Sequence, residues 1–196
     1  TYRTLAVAVA AALVVPTQAT FAQDENLTEE VVVIGTRTEG RSALDSPAPV
    51  DVIGGETMSN QGDTDMSNLL RNVVPSYNVN DQPISDAATL VRPANLRGLA
   101  PDHTLMLVNG KRRHRASVIT WLGNGISNGS QGPDAAAIPA LALKRIEVLR
   151  DGASAQYGSD AIAGVMNFVL NDAREGGSVE VRYGEYNEGD GEQVTI

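Results

Sequence analysis

Apolar and polar positions divide the chain into segments of different texture. Leu5 to Val15 is a continuous apolar run, preceded by Arg3, closed by Pro16 and followed by small residues up to Ala22. This reads as a secretory signal peptide over residues 1–22, cut after Ala22, because roughly 20 apolar residues are needed to span a bilayer and the run is shorter. A buried core helix fits poorly, since Pro16 and the acidic stretch Asp24 to Glu30 follow at once. Residues 23–46 read as an acidic linker interrupted by Val31-Val32-Val33-Ile34 and Gly35, four β-branched residues that favour extended backbone. Thr36 to Ser46 has no apolar periodicity, so the run is expected to stand alone, a strand in need of a partner.

From Pro47 the pattern becomes that of a compact domain. Val50 to Ile53 predicts a strand ending at Gly54-Gly55. Met66, Leu69, Leu70 and Val73 share one helical face, with Asp63 or Thr64 as the cap and Pro75 as the stop. Tyr77 to Val79 predicts a short strand, and residues 80–95 a loop. Thr104 to Val108 predicts a buried strand turned by Asn109-Gly110 into Lys111 to Arg113. Residues 114–134 form a long loop rich in Gly, Ser and Asn. Arg145 to Arg150 alternates as a strand, Asp151-Gly152 turns it, a short helix runs over Ser159 to Ala163, and Gly164 to Leu170 is again a strand. After Gly176-Gly177 the chain alternates strictly, from Ser178 to Tyr186 and again from Gln193, as the strands of a membrane barrel do and as any amphipathic hairpin does.

Composition narrows the class. The 196 residues carry 15 basic and 24 acidic side chains, a net charge of −9 that argues against a general nucleic-acid binder. With no cysteine, disulfides, thiolate chemistry and Cys-based zinc sites are excluded, and two histidines leave little for a metal centre, so neither metal nor cofactor is expected. Aromatic content of 4% places the weight of the core on Val, Ile, Leu and Ala, while 19 glycines and 9 prolines point to many turns.

The motifs then combine. Glu29 to Arg37 is followed by Leu96-Arg97-Gly98-Leu99, by Thr104 to Arg112, and by a block from Pro139 to Leu170 that contains Arg145-Ile146-Glu147-Val148-Leu149-Arg150-Asp151-Gly152 and Tyr157-Gly158-Ser159-Asp160-Ala161-Ile162-Ala163-Gly164. In this order they resemble the plug domain of TonB-dependent outer-membrane receptors, over about residues 29–171. Asp151-Gly152 stands where the family often has Gly-Pro, and Ala163-Gly164 where it often has Gly-Gly; both keep the turn chemistry. The resemblance implies an α+β fold, a small mixed β-sheet plug with short helices and long loops, followed by the first strands of a transmembrane β-barrel. The domains would be the signal peptide (1–22), the acidic linker with a TonB box at about 30–36 (23–46), the plug (47–171) and the start of a truncated barrel (172–196).

The resemblance also implies roles. Glu30, Val31, Val32, Val33, Ile34 and Gly35 would form the TonB box, adding as a strand to TonB, with the first strand of the plug sheet as the alternative. Arg97, Glu147 and Arg150 would make ionic contacts between plug and barrel, or else form a solvated strand face. Trp121, Asn124, Asn128 and Gln131 would face the ligand from the 114–133 loop, unless Trp121 packs on the barrel wall. Gly98, Asn109, Gly110, Gly152, Gly158 and Gly164 are structural turns or close strand approaches, since no phosphate-loop pattern is present. Lys111-Arg112-Arg113-His114-Arg115 is a basic cluster suited to an exposed hairpin edge or to counter-charge for an anionic ligand or barrel carboxylates.

The implied function is energy-dependent uptake across the outer membrane of a Gram-negative bacterium, with no catalysis. The plug would gate the lumen, bind a scarce ligand (an iron-siderophore or other metal chelate, or an oligosaccharide) and be remodelled by TonB. The implied partners are TonB with its inner-membrane ExbB–ExbD motor, the chain's own C-terminal β-barrel, a small-molecule metal chelate or glycan, and the outer membrane, but no nucleic acid. A soluble periplasmic ligand-binding module with a plug-like fold is the alternative. A hydrolase built on Ser154 or Ser159 with His103 or His114 lacks a nucleophile-elbow pattern. The absence of an initial Met suggests a start inside a longer reading frame, and no signalling domain fits between residues 22 and 31.

Overall fold

The computed structural model describes residues 31–32, 34–35, 41–42, 48–79, 91–120, 125–151, 153–177, 179, 181–187 and 189–195. The expected signal peptide and Glu30, Val33, Trp121, Asn124 and Gly152 lie outside the described residues.

The valine run does not stand alone. Strand β1 (Val31–Val32) pairs antiparallel with β2 (Arg41–Ser42), Val31 opposite Ser42 and Val32 opposite Arg41. A backbone ladder needs no side-chain pattern, which is why the polar stretch after Gly35 could supply a partner that periodicity does not reveal. Next, β3 (Val50–Gly54) runs into a short helix α1 (Gly55–Ser59), where the sequence predicted only a turn. Gly55 permits this, because a Cβ there would stand 2.4 Å from the Leu143 carbonyl oxygen.

Helix α2 (Met66–Val73) buries Met66, Leu69 and Leu70, as its apolar spacing predicts. Its cap is Asp65 rather than Asp63 or Thr64: the Asp65 carboxylate accepts from the Ser67 N–H at 2.8 Å, while Asp63 accepts from the Asp65 N–H and from the Asn68 side chain. After Pro75, β4 (Tyr77–Val79) pairs antiparallel with β5 (Ala94–Leu96), so the end of the expected 80–95 loop is a strand. Burial pushes the Tyr77 phenol well above its ordinary value, keeping it neutral in the interior.

The centre of the molecule is one mixed sheet, built from β3, β6 (Thr104–Val108), β7 (Lys111–Arg112), β8 (Leu143–Leu149) and β9 (Gly164–Leu170), with α3 (Ser154–Tyr157) between the last two strands. The order is β3-β8-β9-β6-β7; β6 and β9 run parallel and the other pairs antiparallel. The predicted helix over Ser159 to Ala163 is a single 3-10 turn, Ser159–Ala161, joined through Gly158 to α3.

Both faces of the sheet are covered, which accounts for the near-continuous apolar sequences of β6 and β9. On one face Met106, Ile146, Val148, Met166 and Phe168 pack with Met58, Met66, Leu69 and Leu70 from the helices. On the other, Leu105, Leu107, Leu149 and Val165 pack with Ile34, Ala153 and Ala161. Beyond the sheet, β10 (Arg182–Gly184) and β11 (Gln193–Thr195) form an antiparallel pair. Val179, Val181, Tyr183 and Val194 around them are all more than 60% exposed, an apolar set with no covering layer among the described residues.

Candidate functional site

Three groups of residues expected to carry function occupy distinct places. The first is the N-terminal extended segment. Ile34 is only 1% exposed, set into the second apolar cluster beside Leu105, Leu107 and Leu149. Gly35 follows at φ +81°, a left-handed conformation that suits glycine, and its N–H donates to the Tyr157 hydroxyl at 3.3 Å. The segment thus lies against the sheet across α3, without joining the central sheet.

The second group gathers at the corner after β5 and the end of β8. Arg97 donates to the Arg150 carbonyl oxygen at 2.9 Å and stands 3.3 Å from Asp151, while Arg150 donates to Asp51 at 2.6 Å. Arg97 and Arg150 are therefore neighbours, both partly exposed, and each already has a partner within the domain. Glu147 departs from this arrangement. It is fully buried, one oxygen accepting from Arg145 at 2.8 Å and the other from Asn167 at 3.0 Å. Along β8 residue 147 lies on the face opposite Ile146 and Val148, the face of Leu149, and that face is covered as well, so Glu147 is buried within the domain where a contact with a surrounding wall was expected.

The network continues into the hairpin. The Asn167 side-chain oxygen accepts from the Gly110 N–H at 2.9 Å, and the Asn109 side chain accepts from the Leu170 N–H at 2.9 Å. Asn109 and Gly110 both have positive φ, at 49° and 75°. Gly98 (φ +69°) and Gly158 (φ +90°) are left-handed as well, and Gly164 (φ +146°) sits where a Cβ would meet the Leu149 carbonyl at 2.5 Å.

The third group is the loop 114–134. Asn128 is exposed, but Gln131 is half-buried and its side-chain amide donates to the Ala116 carbonyl at 2.9 Å while its N–H donates to Asp102. Gln131 thus supports the loop from within. Thr120, Ser127, Ser130 and Asn95 extend this buried hydrogen-bond network, which polar composition alone does not distinguish from a solvated loop.

Sequence reasoning missed the surroundings of Tyr157. Arg112 donates to the Tyr157 carbonyl and to Asp160 at 2.9 Å, and Arg115 lies 4.0 Å from the same carboxylate. Arg112, Arg115 and Asp160 rim a cleft of about 190 Å³ that also takes in Asp102, Thr104 and Arg113. Its cationic excess suits an oxyanion. Among the described residues no hydrogen bond joins Ser154 or Ser159 to His103 or His114: Ser159 faces Asp160, and His114 Nδ1 lies 2.9 Å from the Arg115 carbonyl. Among the described residues no cluster of His, Asp and Glu could hold a metal ion, and no helix is long and apolar enough to cross a membrane.

Residues 42–165 match the protein family described as the TonB-dependent Receptor Plug Domain. An iron-regulated outer membrane virulence protein of Vibrio cholerae is 33% identical over 150 residues, covering 76% of this chain and 21% of that protein. A vitamin B12 transporter of Photobacterium profundum is 30% identical over 167 residues, covering 85% of this chain and 24% of the relative. Among solved structures, the ferric enterobactin receptor of Pseudomonas aeruginosa, in complex with enterobactin, aligns at 28% identity with a TM-score of 0.49, over 65% of this chain and 18% of that one. The chain spans about a fifth of the length of the curated relatives it matches.

Proposed function

Because this chain belongs to the TonB-dependent receptor plug domain family, we propose that it is the N-terminal part of an energy-dependent uptake receptor in the outer membrane of a Gram-negative bacterium. Members of the family are receptors and transporters, not enzymes. The observation that carries the reading is the family match over residues 42–165, which takes in β3, β6, β7 and β8 of the central sheet and reaches the start of β9.

In this reading the five-stranded sheet is the core of the plug that fills a barrel lumen. The alternating hairpin β10–β11, with Val179, Val181, Tyr183 and Val194 exposed, supplies the first barrel strands, whose apolar side chains would meet lipid. Val31 to Gly35 is the segment that TonB grips, pairing main chain to main chain. Arg97 and Arg150 stand partly exposed at a corner where carboxylates of the barrel wall could join Asp51 and Asp151 around them. Hydrated ion pairs of that kind hold a plug in place yet yield under load.

The ligand is a scarce metal chelate. Relatives named for iron regulation, enterobactin and vitamin B12 support that class, and the basic cleft at Arg112, Arg113 and Arg115 favours an anionic chelate over an oligosaccharide. Asn128, on the surface of the 114–134 loop, remains a contact candidate in this scheme, together with Trp121 and Asn124.

The test is Val32→Pro in the full-length receptor. Proline removes a main-chain donor that strand addition needs. Energised uptake should be abolished while ligand binding at the cell surface persists. Uptake at the parental rate would overturn the assignment of Val31 to Gly35.

A further inference from the structure

The N-terminal segment is held at more places than a free tether requires. The main chain of β1 is paired with β2. Ile34 is sunk in an apolar pocket of the sheet. Gly35, the residue at which the segment turns away, gives its N–H to a phenol rather than to another backbone group, across 122 positions of sequence. That phenol belongs to Tyr157, the last residue of α3. Gly158 follows it at φ +90° and ψ −174°, a conformation that few residues other than glycine adopt, so the position of Tyr157 is tightly set. The same residue is gripped from the other side, where the Arg112 guanidinium donates to the Tyr157 carbonyl and pairs with Asp160 in the following 3-10 turn.

We propose that Tyr157 is a latch: its hydroxyl sets how often Val31–Gly35 leaves the plug, and the grip of Arg112 on its carbonyl makes the basic hairpin Lys111–Arg115 the place from which the latch is loosened. The inference rests on reading Val31–Gly35 as the segment that TonB contacts. Tyr157 is a positioning residue in this scheme. It touches neither TonB nor ligand, and acts by fixing Gly35. An oxyanion entering the cleft competes with Asp160 and the Tyr157 carbonyl for Arg112, so charge arriving at the hairpin is felt at Gly35 through one residue. The docked and released states then exchange by breaking one hydrogen bond, lifting one isoleucine and opening a two-residue ladder, a small enough set for the released state to be a populated minority.

Tyr157→Phe in the full-length receptor is the test, because it deletes the hydroxyl and keeps the ring packed against the apolar cluster that holds Ile34. Amide exchange of the stretch containing Ile34 and Gly35 should rise roughly two- to tenfold, the range set by one net hydrogen bond. Binding of the TonB C-terminal domain to ligand-free receptor should tighten by the same factor, since apparent affinity scales with the competent population. Arg112→Gln, at a half-exposed side chain away from the sheet interior, is the second variant and should raise exchange at Gly35 in the same direction. Unchanged exchange at Gly35 in both variants overturns the latch. Faster exchange with unaltered TonB binding upholds the latch and instead removes the TonB reading of the segment.

Discussion

Arg97 holds a left-handed backbone at φ +56° while its guanidinium spans 53 positions of sequence to the carbonyl oxygen of Arg150, 2.9 Å away. An arginine in that conformation is paired with a long-range contact, and the two effects can be separated. Arg97→Ala and Arg97→Gly lose the same contacts to Arg150 and Asp151, but only alanine keeps the unfavourable backbone. The glycine variant should therefore be the more stable of the two by about 1 kcal/mol, read as a difference in urea midpoint. Equal midpoints would mean that the left-handed turn carries no strain.

Two glycines with positive φ should respond very differently to a methyl group. At Gly98 a Cβ meets nothing within 4 Å, so Gly98→Ala should cost only the backbone preference, about 1 kcal/mol. At Gly164 the same atom would stand 2.5 Å from the Leu149 carbonyl and 2.7 Å from the Leu96 side chain. Neither the central strand nor the buried leucine can withdraw cheaply, so Gly164→Ala should cost about 3 kcal/mol or more. Thermal melting of the two variants side by side checks the ranking.

Acid should weaken the start of α2 through one carboxylate. Burial alone would raise Asp65, but the hydrogen bond from Arg92, the Ser67 N–H, the Arg92 charge and the Asn68 N–H outweigh it and hold Asp65 below its ordinary value of 3.8. A depressed carboxyl stabilises the fold fully above its unfolded value, and that contribution disappears as pH falls through the lower folded value. Asp65→Ala should cost about 1 kcal/mol at neutral pH, the usual worth of a cap. Its deficit against the parent should shrink once pH drops below about 4. A deficit independent of pH would exclude the charged cap as the cause.

How far the sequence discloses this molecule depends on whether the deciding interaction is local. The α2 face of Met66, Leu69 and Leu70 follows from spacing alone, and the Asn109-Gly110 turn from its two residue types. The choice of Asp65 over Asp63 as cap turned on which carboxylate immediately precedes the first helical residue, a one-turn detail that composition blurs. Strand order lay out of reach, because β6 and β9 are both largely apolar buried strands and nothing in them marks the parallel pair. The β1–β2 ladder is made by main-chain atoms, on which the residues Arg41 and Ser42 leave no signature. Among the site residues, Arg97 and Arg150 could be picked out as charged residues in strand-end motifs, whereas Tyr157 is a single tyrosine beside a glycine whose partner is 122 residues away.

The buried pair on β8 should be costly to break. Glu147 has no exposed surface, and Arg145 is 9% exposed. Removing the carboxylate leaves a guanidinium with a lost partner and an amide with a lost acceptor in a dry interior, so Glu147→Ala should destabilise by about 3 kcal/mol or more. Glu147→Gln, which keeps a side-chain oxygen for Asn167, should cost less. Chemical denaturation of both variants gives the comparison, and a Glu147→Gln cost equal to that of alanine would show that charge, not shape, carries the pair.

The same carboxylate decides alignment. Along β8 and β9 the apolar residues repeat every second position, with Val148 opposite Met166 and Ile146 opposite Phe168. Sliding one strand past the other by two residues would keep every one of them on its own face, so oily packing alone distinguishes poorly between the two pairings. Glu147 directly opposite Asn167 removes that degeneracy. Displaced by two, the carboxylate would keep Arg145, which travels with it on β8, but its second oxygen would stand against Val165 or Val169 and lose the Asn167 donor, leaving a buried acceptor and a buried amide unpaired. A single polar couple inside the sheet thus works as an indexing pin: it contributes little to how strongly the two central strands adhere, and it dictates which atoms they adhere through.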